Sequence, residues 1–489
     1  MGQELILVID AGTTSTRAML FSRDGACLGV AQRELGQHYP RAGWVEHDAG
    51  EIWASSLACA GEMVEKAGGA GRIAGIGITN QRETIVFWSR ATWEAMARSI
   101  VWQDRRTAEL CAGLKAAGHE AAVQAKTGLL LDPYFSGSKI AWAMANWSQL
   151  RAAGEDLCIG TVESWLAFKL TGGLHISDAT NASRTALMDI HKGEWDEALL
   201  DLFETPRGAL PAIVDCAGRY GETGLFGAPI AITGMAGDQQ AAAIGQACLS
   251  PGDTKGTYGT GAFVLTHTGD KAPVSQSRLL TTVAWQLGGK RAYALEGSVF
   301  VAGSLIQWLR DSLGIIAKSP ESEAMARSVA DNGGVYLVPA LAGLGAPHWR
   351  PEARAAISGL SFASGRAHVV RAALEAQAYQ THDLMTAFAG DGAAWERLKI
   401  DGGMSANDWL AQDLADVLEL EVERPDFVET TALGAAMLAG VGAGLFGSLE
   451  EAAAMRGAVR RFAPAMDGET RVARLAGWRT AVEAVLASS

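Results

Sequence analysis

The densest chemistry in this chain lies near its start, in Asp10-Ala11-Gly12-Thr13-Thr14-Ser15-Thr16-Arg17. The segment carries a carboxylate, a row of hydroxyls, a guanidinium and a glycine that lets backbone approach a ligand closely. Hydroxyls and N–H groups in such a turn can cradle phosphate oxygens. Asp10 suits Mg²⁺, which favours one or two carboxylates together with phosphate oxygens. Arg17 can reach a phosphate bidentately. The competing reading is a polar hairpin turn with a solvated arginine. A second Gly/Thr turn, Lys255-Gly256-Thr257-Tyr258-Gly259-Thr260-Gly261-Ala262-Phe263, echoes the first.

Other polar groups gather at points where apolar runs end. In Thr79-Asn80-Gln81-Arg82-Glu83-Thr84 two opposite charges are adjacent. Neighbours in extended chain face opposite ways, so only a turn could aim Arg82 and Glu83 into one cleft; a surface ion pair is the alternative. Trp102 could supply a flat apolar wall or fill a core, and Asp132-Pro133-Tyr134-Phe135-Ser136 is a turn that offers a phenol. Asp238 opens a small-residue helix after Thr233-Gly234-Met235-Ala236-Gly237, with the amide of Gln239 beside it. That position fits a helix cap and equally a general base that takes the proton of an attacking hydroxyl. The glycines of Asp401-Gly402-Gly403-Met404-Ser405-Ala406-Asn407 could admit a flat purine. There is no P-loop and no H-E-x-x-H, so a nucleotide would be held by something other than a Walker turn.

The elements that must position these groups are legible as periodicity. Leu5-Ile6-Leu7-Val8-Ile9 and Ala18-Met19-Leu20-Phe21 flank the first turn and predict a β-hairpin. Arg72 to Thr79, Val335 to Pro339 and Leu398 to Ile400 read as strands; Glu51 to Ala67 and Val369 to Phe388 read as helices, the latter with Leu374, Ala378, Thr381 and Met385 on one stripe. Ala236 to Gly245 and Thr431 to Gly440 are similar small-residue segments built to pack closely on a neighbour. Strand and helix signals alternate, which predicts α/β architecture. Two related domains facing each other are expected, with a boundary near Leu249-Ser250-Pro251-Gly252.

Composition bounds the rest. A chain of 489 residues with 48% hydrophobic content has room for two or three domains with large cores. The net charge of −13 argues against nucleic acid or an anionic membrane as partner. Six dispersed cysteines without a C-x-x-C read as small buried hydrophobes in a reducing cytosol. Met1-Gly2-Gln3-Glu4 runs directly into a strand, unlike a secretory leader, and Ile6 stands where a myristoylation motif needs a hydroxyl. The longest uncharged stretch, Thr431 to Leu449, is broken by five glycines and reads as a buried helix ending near Gly440.

Taken together, these residues resemble the FGGY carbohydrate kinases, most of all the members that act on glycerol. The likeness runs from Leu7 to about Trp478. It rests on Gly43-Trp44-Val45-Glu46-His47-Asp48, Gly77 to Thr84, Ile100 to Thr107, Asp132 to Lys139, Asn181 to Thr185, Gly237 to Gln240, Tyr258 to Phe263, Ala294 to Gly297, and a C-terminal run from Ala355 to Glu375. The resemblance implies an α/β fold of two actin-like, ribonuclease H-like domains with a catalytic cleft between them: 1–249 carrying the glycerol and phosphate site, 250–489 the nucleotide site. It implies ATP-dependent phosphorylation of glycerol to sn-glycerol 3-phosphate, the first step of glycerol breakdown, in a cytoplasmic homo-oligomer, a dimer or a tetramer. Asp10 would hold the Mg²⁺ of MgATP. Thr13, Thr14, Ser15, Arg17 and Thr260 would meet phosphates, and Gly303, Gln307, Gly403 and Asn407 would hold the nucleotide. Arg82, Glu83, Tyr134, Asp238 and Gln239 would bind glycerol against Trp102 and Phe263, with Asp238 as base. A larger polyol or a ketose would need the corner of Arg82, Glu83 and Trp102 opened, and a non-catalytic ATP switch would need neither that corner nor a base.

The departures from the family pattern are Ala11 where glutamine is usual, Ser89 to Arg98 without the usual Thr-Gly hairpin, and Arg350 where aspartate is usual in Pro347-His348-Trp349-Arg350-Pro351. The segment Gly221 to Pro229 is short and lacks the loop that binds a sugar bisphosphate in some relatives.

Overall fold

The computed structural model describes residues 4–350 and 352–488. The readings made on Met1, Gly2, Gln3 and Pro351 lie outside them. Two large sheets form the frame. The first contains β1 (Leu5–Ala11), β2 (Ser15–Phe21), β3 (Cys27–Glu34), β4 (Ile73–Asn80), β5 (Glu222–Thr223) and β6 (Ile230–Gly237), ordered β5-β6-β4-β1-β2-β3. The second contains β7 (Asp253–Tyr258), β8 (Ala262–Gly269), β9 (Leu280–Leu287), β10 (Lys290–Val299), β11 (Arg397–Asp401), β12 (Val422–Pro425) and β13 (Val459–Phe462), ordered β9-β10-β8-β7-β11-β12-β13. Each sheet has an antiparallel triplet, β1-β2-β3 or β7-β8-β10, followed by two strands parallel to its first, β4-β6 or β11-β12. The echo between the halves is thus a repeated topology, and each Gly/Thr turn is the first hairpin of its sheet.

The continuous apolar run of β1 follows from burial on both faces. Leu5, Leu7 and Ile9 face the core shared with α1 (Ala49–Ala67), while Ile6 and Val8 face α6 (Thr430–Gly442). Each such side chain contributes about 1.5–3 kcal/mol of transfer free energy. Helix α1 begins at Asp48, whose Oδ1 accepts from Gly50 N at 2.8 Å, and ends at Gly68 with φ 83°. The remaining helices that bear on the site are α2 (Asp238–Gly245), α3 (Gly303–Asp311), α4 (Arg366–Gly390) and α5 (Asp408–Leu418). Helix α4 starts three residues before the predicted Val369. Its polar first turn has no apolar signal, and His368 Nδ1 accepts from Gly365 N at 3.1 Å there.

The two small-residue helices pack on each other. A Cβ on Gly434 would stand 1.8 Å from Ala241 O, and one on Gly245 would stand 2.0 Å from Thr430 O, so neither position admits a side chain. Helix α6 comes from the second half of the chain but lies on β1, β4 and β6 of the first sheet. Among the described residues no helix is long and apolar enough to cross a membrane.

Candidate active site

Arg82 and Glu83 follow β4 directly. Glu83 takes a φ of 61°, and this left-handed residue turns the chain so that both side chains enter the same buried region. The Arg82 guanidinium meets Glu296 Oε2 at 2.6 Å, Tyr134 OH at 3.2 Å, Gln240 Oε1 at 3.2 Å and Asp238 Oδ1 at 3.3 Å. Glu83 Oε1 accepts from Arg184 Nε at 2.6 Å, and Arg184 also donates to Glu296 Oε1 at 2.8 Å. Glu296, on β10 of the second sheet, therefore bridges two arginines of the first half. Burial pushes its carboxyl up, but Arg184 and Arg82 more than offset this and hold it at about 2. Burial pushes the Tyr134 phenol up, so it stays a neutral hydroxyl able to donate and accept.

Asp238 is the first residue of α2, and the cap position belongs to Gly237, which has no side chain to offer. The cap reading of Asp238 is therefore replaced. Its Oδ1 accepts from Gln239 N at 2.7 Å and faces Arg82, while the side chain keeps 33% exposure. Oδ2 has no hydrogen-bond partner among the described residues and could accept from a hydroxyl. Burial raises the Asp238 carboxyl, with Arg82 and Lys255 pulling the other way. Lys255 Nζ donates to Gln239 Oε1 and, at 2.7 Å, to Thr257 Oγ1. Trp102 stands edge-on to Tyr134 at 5.7 Å and to Phe263 at 6.4 Å between ring centroids, so Phe263 on β8 reaches the wall built by the first half. Arg82, Glu83, Trp102, Tyr134, Asp238, Gln239 and Phe263 are thus brought to one corner.

The first Gly/Thr turn lies beside that corner. Trp102 Nε1 donates to Thr13 Oγ1 at 2.9 Å. Thr14 is exposed, Ser15 is buried at the start of β2, and Asp10 pairs across the hairpin with Arg17. Burial pushes the Asp10 carboxyl up to about 7; Arg17 opposes the rise and Asp238 and Glu429 add to it. A carboxylate so poised gains from a divalent cation, and no cluster of three or more acidic, histidine or cysteine ligands exists among the described residues. A magnesium ion here would take Asp10 and phosphate oxygens. Arg17 is not free: it meets Glu429 Oε2 at 2.6 Å, at the start of α6, on a partly exposed surface. A phosphate would share or displace that partner.

Around the second turn, Thr260 is exposed at its tip. Gly303 opens α3 with its N–H on Gly259 O at 2.8 Å, and a Cβ there would meet that oxygen at 2.5 Å and Met404 Cγ at 3.4 Å. Gly303 and the 403–406 turn are therefore neighbours. Gln307 and Gly403 are exposed, whereas Asn407 caps α5, accepting from Leu410 N at 3.0 Å. Gly402, with φ 84°, packs on the Tyr258 backbone, so its glycine serves packing and only Gly403 is open to a ligand.

Three members of the buried network, Arg184, Glu296 and Lys255, were not among the predicted site residues. The available signal was a charge inside an apolar strand, as in Ala294-Leu295-Glu296-Gly297, which requires a buried partner.

Comparison with known proteins follows the same lines. Residues 5–245 match the FGGY family of carbohydrate kinases, N-terminal domain, and residues 255–443 match its C-terminal domain. The chain is 53% identical over 493 aligned residues to a glycerol kinase of Gluconobacter oxydans, covering 100% of this chain and 96% of that protein. It is 54% identical to a glycerol kinase of Rhodospirillum rubrum, covering 98% of each. Among solved structures, Plasmodium falciparum glycerol kinase with ADP superimposes with a TM-score of 0.93 at 35% identity, covering 99% of this chain and 98% of that one.

Proposed function

This chain belongs to the FGGY family of carbohydrate kinases, and from that membership we propose that it phosphorylates glycerol at a terminal hydroxyl, using MgATP and releasing sn-glycerol 3-phosphate and ADP. The observation that carries the reading is the corner itself: Arg82, Tyr134, Asp238 and Gln239 offer donors and acceptors to a small triol beside the apolar wall that Trp102 and Phe263 build edge to face. The extended identity to glycerol kinases supports it.

In the proposed reaction the terminal hydroxyl oxygen attacks the γ-phosphorus of ATP. The bond from that phosphorus to the bridging oxygen breaks, ADP leaves, and Asp238 takes the hydroxyl proton. Thr13, Thr14, Ser15, Arg17 and Thr260 bind phosphate oxygens from the two turns. Gly303, Gln307, Gly403 and Asn407 hold the nucleotide. Magnesium would be held by Asp10 and would neutralise phosphate charge. Arg82 and Glu83 orient the hydroxyls, and Trp102 with Phe263 excludes water. We assign 1–249 to the glycerol and phosphate domain and 250–489 to the nucleotide domain. A cytoplasmic homo-oligomer fits the reading, and light scattering tests the assembly. The decisive experiment is ADP release measured with glycerol, dihydroxyacetone, erythritol and xylulose. Glycerol should give the highest kcat/KM; ADP formation indifferent to glycerol would sink the proposal.

A further inference from the structure

A buried histidine that no step of the reaction uses sits beneath the first turn. His47, in the short strand Glu46–His47, is 1% exposed. Its Nε2 lies 2.9 Å from Gln37 Oε1 and its Nδ1 lies 3.2 Å from Gln81 Nε2. The protons in this cluster can be counted. Gln37 Nε2 points at two carbonyls, Thr13 O at 2.8 Å and Leu35 O at 3.3 Å, so both its hydrogens are engaged and its oxygen faces His47. His47 Nε2 must then carry the ring proton. Gln81 Nε2 gives one hydrogen to Gly12 O at 3.0 Å, while its Oε1 accepts from Thr84 Oγ1 at 2.9 Å. Its second hydrogen therefore goes to His47 Nδ1, which must be bare. The two glutamines demand the same tautomer independently.

The consequence lies on the other side of the turn. In a planar trans peptide the carbonyl and the next N–H point in opposite directions. The Gly12 carbonyl shares its peptide with the Thr13 N–H, and the Thr13 carbonyl shares its peptide with the Thr14 N–H. Holding both carbonyls inward aims both N–H groups outward, and neither donates to any group among the described residues. Two adjacent outward N–H groups form an anion-binding concavity.

We infer that His47 is a positioning residue for the first phosphate turn: protonated on Nε2 and bare on Nδ1, it orients Gln37 and Gln81 so that their amides hold the Thr13 and Gly12 carbonyls and present the Thr13 and Thr14 N–H groups to phosphate. Burial keeps the ring neutral, lowering its pKa to about 4, with His38 adding to the effect. The inference rests on the first turn being a phosphate site.

His47→Leu removes both ring contacts at similar bulk; His47→Gln can still donate to Gln37 from near the Nε2 position. ADP affinity is read by calorimetry, and KM for ATP and for glycerol by steady-state kinetics. His47→Leu should weaken ADP binding and raise KM for ATP about tenfold, the equivalent of about one net hydrogen bond. KM for glycerol should change less than about twofold on the same reasoning, since the glycerol corner keeps its own contacts. His47→Gln should recover much of the loss. If His47→Leu does not fold, Gln37→Leu at the half-buried end carries the same test. Unchanged ADP affinity in a folded variant, or both KM values rising in step, would overturn the inference. A wild-type protein that binds ADP without phosphorylating glycerol would overturn the functional reading and leave this test standing; one that binds no ADP would overturn both.

Discussion

Asp238 is held between burial, which raises its carboxyl, and the cations Arg82 and Lys255, which lower it. A general base must be ionised, so turnover should fall as pH drops through its raised value. Asp238→Asn keeps the shape and the contact to Arg82 but cannot take a proton. Glycerol affinity should persist while kcat falls about 10²–10⁴-fold; a kcat near wild type in steady-state assays would remove Asp238 from that role. Asp10 should respond to pH differently. Protons and a metal compete for its carboxylate, and its pKa of about 7 means that the ionised fraction drops about tenfold from pH 8 to pH 6. The Mg²⁺ concentration for half-maximal rate should rise by about that factor, beyond what the nucleotide's own titration imposes. In Asp10→Asn the Mg²⁺ response should be weak and should lose this additional pH dependence; a wild-type Mg²⁺ requirement flat across the range would show that Asp10 is not the ligand.

At the scale of elements, the crossing of α2 and α6 fixes where Asp238 and Gln239 begin. Gly434→Ala would drive a methyl into Ala241 O at 1.8 Å, so the helices must separate. Overpacking of this kind costs about 1–3 kcal/mol and sometimes more, and urea denaturation should show a lower midpoint. Catalysis should drop as well, because α2 moves with its first turn. Gly113→Ala, in the exposed helix Ala108–Ala116 with no atom within 4 Å of the added carbon, is the contrast and should stabilise by up to about 1 kcal/mol through helix propensity. Equal effects of the two substitutions would show that the crossing does not constrain the site. Both small-residue helices were legible in the sequence because the packing requirement is written in each one's own composition. The hairpins were legible too, as apolar runs around Gly/Thr turns. That α6 would lie on the first sheet was not legible, since Ala-rich helices carry no mark of which surface they cover. The same holds for Arg82 with Glu296, 214 residues apart, and Arg17 with Glu429, 412 apart. Local pattern announces a charge in need of a partner and is silent about which partner the fold brings.

The two halves of the molecule meet at the corner of Arg82, Glu296, Trp102 and Phe263. Glu296 of the second sheet binds Arg82 and Arg184 of the first half, and Phe263 of the second half faces Trp102 of the first. On the proposed reading, glycerol in that corner would touch both halves, and the nucleotide would lie between the two turns. Whichever ligand binds first then helps to hold the halves in the arrangement the other needs, and the coupling must be reciprocal. Titration of glycerol with and without a non-hydrolysable ATP analogue, and of the analogue with and without glycerol, should give the same factor, about 5–150 for typical coupling. Phe263→Ala opens the corner from the second half without disturbing the buried charges. It should bring the factor close to one, weaken glycerol binding, and raise ATP hydrolysis as water reaches the phosphoryl group. Glu296→Gln should act through the frame instead: it leaves two buried guanidiniums with one carboxylate fewer, and breaking such a pair costs about 3–5 kcal/mol, so its main reading is a lower denaturation midpoint. If glycerol and the analogue bind with the same affinity alone and together, and Phe263→Ala hydrolyses ATP no faster than wild type, then the corner is a site of the first half alone and the contact between Phe263 and Trp102 has no part in closure.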